Sequence, residues 1–152
     1  MKAMILAAGL GTRLQPLTNT IPKALVPVAN RSIIGHVIDY LKSHGLTEMV
    51  VNAHHLYPQI VEYLDGGKPF DVDIEVLIEP EILGTGGGIR NSKDHWDDDP
   101  LIVINSDILT DIRLDKAYDF HKKSGSIATL VLHDYGQFNQ ILIDDNACLL
   151  YT

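Results

Sequence analysis

Apolar residues along the 152-residue chain fall into short blocks separated by glycine and proline breaks. The first block, Ala3-Met4-Ile5-Leu6-Ala7-Ala8, has no polar alternation and predicts a strand over residues 2–8 buried on both faces. From Gly9 to about Val28 the chain is broken by Pro16, Pro22 and Pro27. Its apolar content (Leu14, Leu17, Ile21, Leu25, Val26 and Val28) predicts an irregular but packed segment. Ser32 is placed to cap a helix whose apolar face is Ile33, Ile34, Val37, Ile38 and Leu41, with Gly45 just past its end. A strand follows at 48–53. Pro58 then fits the first turn of a short helix carrying Ile60, Val61 and Leu64 and closed by Gly66. Residues 73–78 alternate as a strand, and GTGGG at 84–88 opens a segment helical from about Gly87 to near Trp96. The run LIVIN at 101–105 is an apolar strand, 114–124 a helix stopped by Gly125, and 127–132 and 140–143 further strands.

Strand and helix alternate four times, which predicts an α/β fold with a mostly parallel sheet covered on both faces. Ligands of such sheets bind beyond the carboxyl ends of the strands. The conspicuous residues fall there: Gly9 to Arg13 after the first strand, Glu79 to Gly88 after the third, Asp107 after the fourth. No internal repeat or linker divides the chain, so residues 1–152 read as one domain. The DDD run at 97–99 reads as a solvated turn and His54-His55 as an exposed loop, neither with a partner at metal-ligand spacing.

Composition narrows the classes. With 45% hydrophobic and 21% charged residues the chain is globular, and no apolar stretch approaches the roughly 20 residues of a membrane span. Cys148 is the sole cysteine, which excludes an internal disulfide and points to a reducing, cytoplasmic setting. A net charge of −8 argues against nucleic acid as a partner. The charge is uneven, however. Residues 1–38 hold Lys2, Arg13, Lys23 and Arg31 and no acid, so all 20 acids lie after them. A positive island in an acidic chain suggests a local anion site.

The stretch AAGLGTRLQP at 7–16 supplies the chemistry for one. Leu14 stands where a dinucleotide fingerprint needs its third glycine, and Thr12-Arg13 follows Gly11 where a P-loop needs Lys-Ser/Thr. The physics of those motifs is still available. Gly9 and Gly11 let backbone N–H groups face an anion, and Arg13 supplies a fork of donors matched to phosphate oxygens. Lys23, held beside Pro22, offers a second positive charge. Asp107, just after an apolar strand, is a fitting Mg²⁺ ligand beside a phosphate site.

The run from AMILAAGLGTRL through PKALVPV and its following helix, with the later ILGTGGGI and VINSDI, resembles the sugar-1-phosphate nucleotidylyltransferases. GTGGG looks closest to the mannose- or heptose-1-phosphate guanylyltransferases and the N-acetylmuramate-1-phosphate uridylyltransferases, and less like the thymidylyltransferases or glucose-type uridylyltransferases. The resemblance implies a Rossmann-like three-layer α/β/α nucleotidyltransferase fold. It implies transfer of a nucleoside monophosphate from an NTP, GTP or UTP, to a sugar 1-phosphate, with release of pyrophosphate. Arg13 and Lys23 would be catalytic. Leu6, Ala7, Ala8, Gly9, Gly11 and Thr12 would line the base and phosphates; Glu79, Gly84 and Thr85 would lie at the base, and Asp107 would hold Mg²⁺. The product expected is GDP-mannose-like, with an N-acetylmuramate-1-phosphate uridylyltransferase or a non-catalytic nucleotide-binding fragment as alternatives. No membrane or nucleic acid is implied as partner, and a homo-oligomer is allowed. The family continues past this chain's last residues and has glycine where Asn139 stands here. The expectation is therefore a nucleotide-binding part whose sugar-binding remainder is missing and whose own turnover is weak.

Overall fold

The computed structural model describes residues 1–133, 135–136, 141–144 and 149–151. They form two compact units, 1–112 and 113–152. In the first, β1 (Lys2–Leu6), β4 (Glu48–Ala53), β5 (Asp73–Ile78) and β6 (Leu101–Asn105) form one sheet in the order β5-β4-β1-β6. Every pairing in it is parallel. The helices α1 (Ile33–Ser43), α2 (Tyr57–Leu64) and α3 (Gly84–Asn91) connect these strands. The path steps outward from β1 to β4 and β5, then returns to β6 on the other side of β1. Right-handed crossovers therefore put α1 and α2 on one face and α3 on the other. The reversal of direction falls at β1, so the switch point opens beside its carboxyl end.

Burial explains the apolar strands. Ala3, Met4 and Ile5 are inaccessible, with Val51 and Ala53 of β4 beside them. Ile34, Val37, Ile38 and Leu41 of α1, and Ile60 and Leu64 of α2, complete the core. Each large side chain here contributes about 1.5–3 kcal/mol. Ser32 caps α1 by accepting from Gly35 N at 3.0 Å, as its sequence position predicts.

The segment between β1 and α1 is irregular but ordered. Three single 3₁₀ turns, Thr12–Leu14, Leu17–Asn19 and Lys23–Leu25, carry it to a small antiparallel hairpin of β2 (Pro27–Val28) and β3 (Arg31–Ser32). The hairpin turns through Ala29 and Asn30, both left-handed. Alanine gives no turn signal, which is why the pattern of residues does not show it. Tyr40 of α1 donates its hydroxyl to the Ile112 carbonyl at 2.6 Å, holding the end of the segment after β6. Burial, with Asp111 nearby, raises that phenol above its usual pKa.

Two expectations change. The helix after β5 begins at Gly84, ahead of the expected Gly87, ends at Asn91, and is followed by a 3₁₀ turn at Lys93–His95. His54 and His55 are not simply exposed. Each is half-buried, and each ring donates to a carbonyl, Glu79 O at 2.7 Å and Thr18 O at 2.9 Å.

The second unit contains α4 (Leu114–Ser124), ended by left-handed Gly125, and a short antiparallel pair, β7 (Leu142–Ile143) with β8 (Leu149–Tyr151). Residues 127–132, expected as a strand, pair with no strand among the described residues, and Ile127, Leu130 and Val131 are exposed. Without a ladder partner an apolar run has nothing to fix it as a strand. The expected strand at 140–143 is met at Leu142–Ile143, while Asn139, Gln140 and Cys148 lie outside the described residues.

Candidate functional site

The carboxyl ends of β1, β4, β5 and β6 surround a cleft of about 300 Å³. Register places Leu6, the last residue of β1, between Asn52 of β4 and Asn105 of β6. The β1–β6 ladder runs one step further, Ser106 N donating to Leu6 O at 3.0 Å, and Asp107 follows in a turn closed by Ile108 N on Asn105 O.

Ten of the expected residues line this cleft. Leu6, Ala7, Ala8 and Gly9 form one wall, Arg13 and Lys23 the next, Glu79, Gly84 and Thr85 the opposite one, with Asp107 at the β6 end. A Cβ on Gly9 or Gly84 would meet nothing within 4 Å, so the backbone there is open to a ligand.

Gly11 and Thr12 do not line it. Gly11 has φ 66°, and a Cβ on it would come within 2.9 Å of Thr18 and 3.1 Å of Lys23. Its carbonyl accepts from the Thr18 hydroxyl at 2.8 Å. This glycine makes the turn that brings the loop against the stem of Lys23, and the left-handed backbone is why it must be glycine. Thr18, fully buried, pins that turn, since its own carbonyl takes the His55 ring N–H.

The charged groups divide sharply. Arg13 is exposed and makes no hydrogen bond or ion pair among the described residues. Lys23 Nζ is ion-paired with Asp107 Oδ2, each about a third exposed. Glu79 is different again. It is only 1% exposed, its Oε1 accepts from Asn52 Nδ2 at 2.7 Å and its Oε2 from Leu83 N at 3.0 Å. Asn52 Oδ1 in turn accepts from Ala7 N at 2.8 Å. The Ala7 N–H is already engaged, leaving Ala8 and Gly9 to present backbone donors, and the Glu79 carboxylate is held within the wall rather than facing a base edge.

Asn52, Ile82, Asn105 and Ser106 also line the cleft, beyond the residues expected from sequence. Asn52 carries a readable signal, an amide within the otherwise apolar run MVVNA of β4, because such a group, once buried, needs hydrogen-bond partners. Ile82 carries none.

The donor set fits a divalent cation that shares its shell with a ligand. No group of three or more His, Cys, Asp or Glu is placed to hold a metal ion by itself among the described residues. One carboxylate beside a phosphate site is what Mg²⁺ uses when ligand phosphates and water fill its other positions. No helix among the described residues is long and apolar enough to cross a membrane.

The chain is similar to several known proteins. The UTP–glucose-1-phosphate uridylyltransferase of Synechocystis sp. is 34% identical over 166 residues, covering 99% of this chain and 43% of that protein. The mannose-1-phosphate guanyltransferase of Saccharomyces cerevisiae is 39% identical over 134 residues, 86% of this chain and 37% of that protein. The first similarity does not support setting glucose-type uridylyltransferases further away. The crystal structure of HddC from Yersinia pseudotuberculosis complexed with GMP-PN superposes with a TM-score of 0.71 at 28% identity, over 79% of this chain and 53% of that one. A putative glucose-1-phosphate thymidylyltransferase from Bacillus anthracis gives 0.71 at 26%, over 82% and 50%. The chain thus spans about two fifths of the length of the curated relatives it matches. A profile of the nucleotidyl transferase family matches residues 2–139. The chain belongs to the nucleotidyl transferase family.

Proposed function

We propose that this chain holds a nucleoside triphosphate at the carboxyl end of its sheet for transfer of the nucleoside monophosphate to a sugar 1-phosphate. The observation that carries the reading is the meeting of open glycine backbone, Arg13, Lys23 and Asp107 in one cleft at the sheet's switch point. In the reaction an oxygen of the sugar phosphate bonds to the α-phosphorus, the bond from that phosphorus to the bridging oxygen breaks, and pyrophosphate leaves. The sugar phosphate is already largely deprotonated at neutral pH, so no general base is required. The work left to the protein is positioning and charge stabilisation. Arg13 offers a fork of donors to the phosphate chain. Lys23, packed beside the glycine turn, supplies a point charge. Asp107 would hold Mg²⁺, which when bound neutralises developing phosphate charge.

Base choice falls to backbone groups at Ala8, Gly84 and Thr85 and to the apolar face of Ile82, since the Glu79 oxygens are engaged. A guanine nucleotide is the reading supported by the mannose-1-phosphate guanyltransferase relatives and the GMP-PN complex. UTP is the second reading, supported by the Synechocystis relative that covers nearly the whole chain. The experiment is calorimetric titration with GTP and UTP in Mg²⁺, followed by pyrophosphate release with mannose 1-phosphate. Nucleotide binding with pyrophosphate release is the expected result, weak unless the downstream sequence of a longer protein is supplied. Absence of binding by any NTP overturns the assignment, and binding without pyrophosphate release by that longer chain reduces it to a nucleotide-binding module.

A further inference from the structure

We infer that Asn52 and Glu79 are positioning residues that set the separation between the two walls of the nucleotide cleft, an inference that rests on the function proposed above. Neither has a place in the chemistry. Asn52 lies near the end of β4, whose other buried residues are apolar, and is 3% exposed; Glu79 is 1% exposed. Burying a carboxylate is costly unless every lone pair facing the interior is used, and here the use made of them is specific. Reading across the sheet, the Ala7 N–H donates to Asn52 Oδ1, the Asn52 amide donates to Glu79 Oε1, and the Leu83 N–H donates to Glu79 Oε2. This is one continuous strut. Its first end is the residue after β1, where the glycine wall begins. Its last end is the residue before α3, whose opening residues Gly84 and Thr85 form the facing wall.

A second observation fixes the same pair from above. A Cβ on Gly88 would come within 2.8 Å of Asn52 Nδ2 and 3.1 Å of Glu79 Oε1. The α3 backbone therefore rests directly on the amide–carboxylate pair, which accounts for glycine at this place in GTGGG. The carbonyl of Glu79 is also taken, by the His54 ring N–H at 2.7 Å. Main chain and side chain of Glu79 are both tied to β4 or its loop, so the opening of α3 cannot shift without breaking buried bonds.

The order of donors and acceptors along the strut makes the inference testable by exchange. In Glu79→Gln the new amide can serve only one neighbour as acceptor, and its N–H₂ faces a donor on the other side. In Asn52→Asp two carboxylate oxygens meet. The double variant Asn52→Asp with Glu79→Gln restores every bond with the charge moved from one partner to the other. The carboxylate now at position 52 accepts from Ala7 N and from the amide now at position 79, while the oxygen of that amide accepts from Leu83 N.

The experiment is titration of each variant with GTP and with UTP in Mg²⁺, on protein shown to be folded by circular dichroism well below its melting temperature. Each single variant is expected to bind roughly tenfold more weakly, the cost of one unsatisfied buried group. The double variant is expected to recover most of that loss. Asn52→Asp should also regain affinity on acidification, as a shared proton replaces the lost donor. Where a single variant fails to fold, Gly88→Ala takes its place, since it keeps every polar group and presses a methyl between them. A strut that serves stability alone would lower the melting temperature and leave affinity per folded molecule unchanged, and wild-type affinity in every folded single variant overturns the inference. A double variant no better than the singles overturns it equally. Failure of the wild-type chain to bind any NTP is a different result, and counts against the proposed function itself.

Discussion

The sheet of the first unit has a cleft at each end, of similar volume but different chemistry. At the amino end, Lys2, Glu48, Asp73, Glu75, Asp94 and His95 border a hollow of about 300 Å³, equal to the one at the carboxyl end. There both basic side chains are already engaged by acids. Lys2 lies 3.6 Å from Glu48 and 3.4 Å from Asp97, and His95 lies 2.9 Å from Glu75. At the carboxyl end Arg13 has no partner among the described residues, and open glycine backbone replaces side chains. The difference teaches that volume does not mark a site in this fold. What marks it is hydrogen-bonding capacity left unspent beside groups that the fold has fixed.

The sharpest way to break this comparison is to remove one cation from each end. Arg13→Ala and Lys23→Ala should each lower triphosphate affinity roughly tenfold to more than a hundredfold, as a charge-assisted phosphate contact is lost. Lys2→Ala should leave it unchanged. Equal losses at the two ends, measured by calorimetry, would remove the distinction.

A smaller effect concerns the Lys23–Asp107 pair, which an arriving Mg²⁺-triphosphate must exchange for ligand contacts. Asp107→Asn should abolish the gain in affinity that Mg²⁺ brings. In chelator the same variant should bind triphosphate about twofold to fivefold more tightly than wild type, because Lys23 is released from a partly exposed ion pair. Binding that still responds to Mg²⁺ in Asp107→Asn would move the metal to other residues.

The smallest effect belongs to the amino end. The Asp97 carboxyl is held below its ordinary pKa, chiefly by the Asp99 N–H, with Lys2 adding to it against the opposing effect of desolvation. Lys2 is raised: desolvation opposes its charge, but Asp97 and Glu48 outweigh it. A depressed carboxyl stabilises the fold above the ordinary aspartate range and loses that contribution as pH falls through its lowered value. Asp97→Asn should therefore lower the melting temperature slightly at neutral pH, with the difference closing in acid and nucleotide affinity untouched. A melting difference that persists at low pH would assign Asp97 a role other than this pairing.

Much of the sheet is written in the sequence: β1 and β4 are buried strands whose apolar runs have no other stable arrangement, and β5 and β6, though partly exposed, carry short apolar runs that pair in parallel beside them. Ser32, Pro58 and Gly125 mark helix ends in the same local way. The cleft is legible through Gly9, Arg13, Lys23 and Asp107, residue types that an anion site brings together. The strut is not, because its logic is between strands: Asn52 is 45 residues from Ala7 and 27 from Glu79. For the same reason Glu79 reads from sequence as a base contact, when position alone is known and its partners are not. The run 127–132 misleads in the opposite direction, since an apolar run becomes a strand only where a neighbouring strand exists to receive it.

The buried Thr18 has a kinetic consequence. Its hydroxyl and carbonyl tie the glycine turn to the loop after β4, and the Gln59 amide adds a bond to Thr20 O at 3.0 Å. Fixing a residue's backbone costs about 1–2 kcal/mol of entropy, and for this long irregular segment that cost falls on folding rather than on ligand capture. A nucleotide then meets a wall already in place. Its association should be limited by diffusion and by attraction to Arg13, slowing as salt screens that charge, with no separate phase for loop closure.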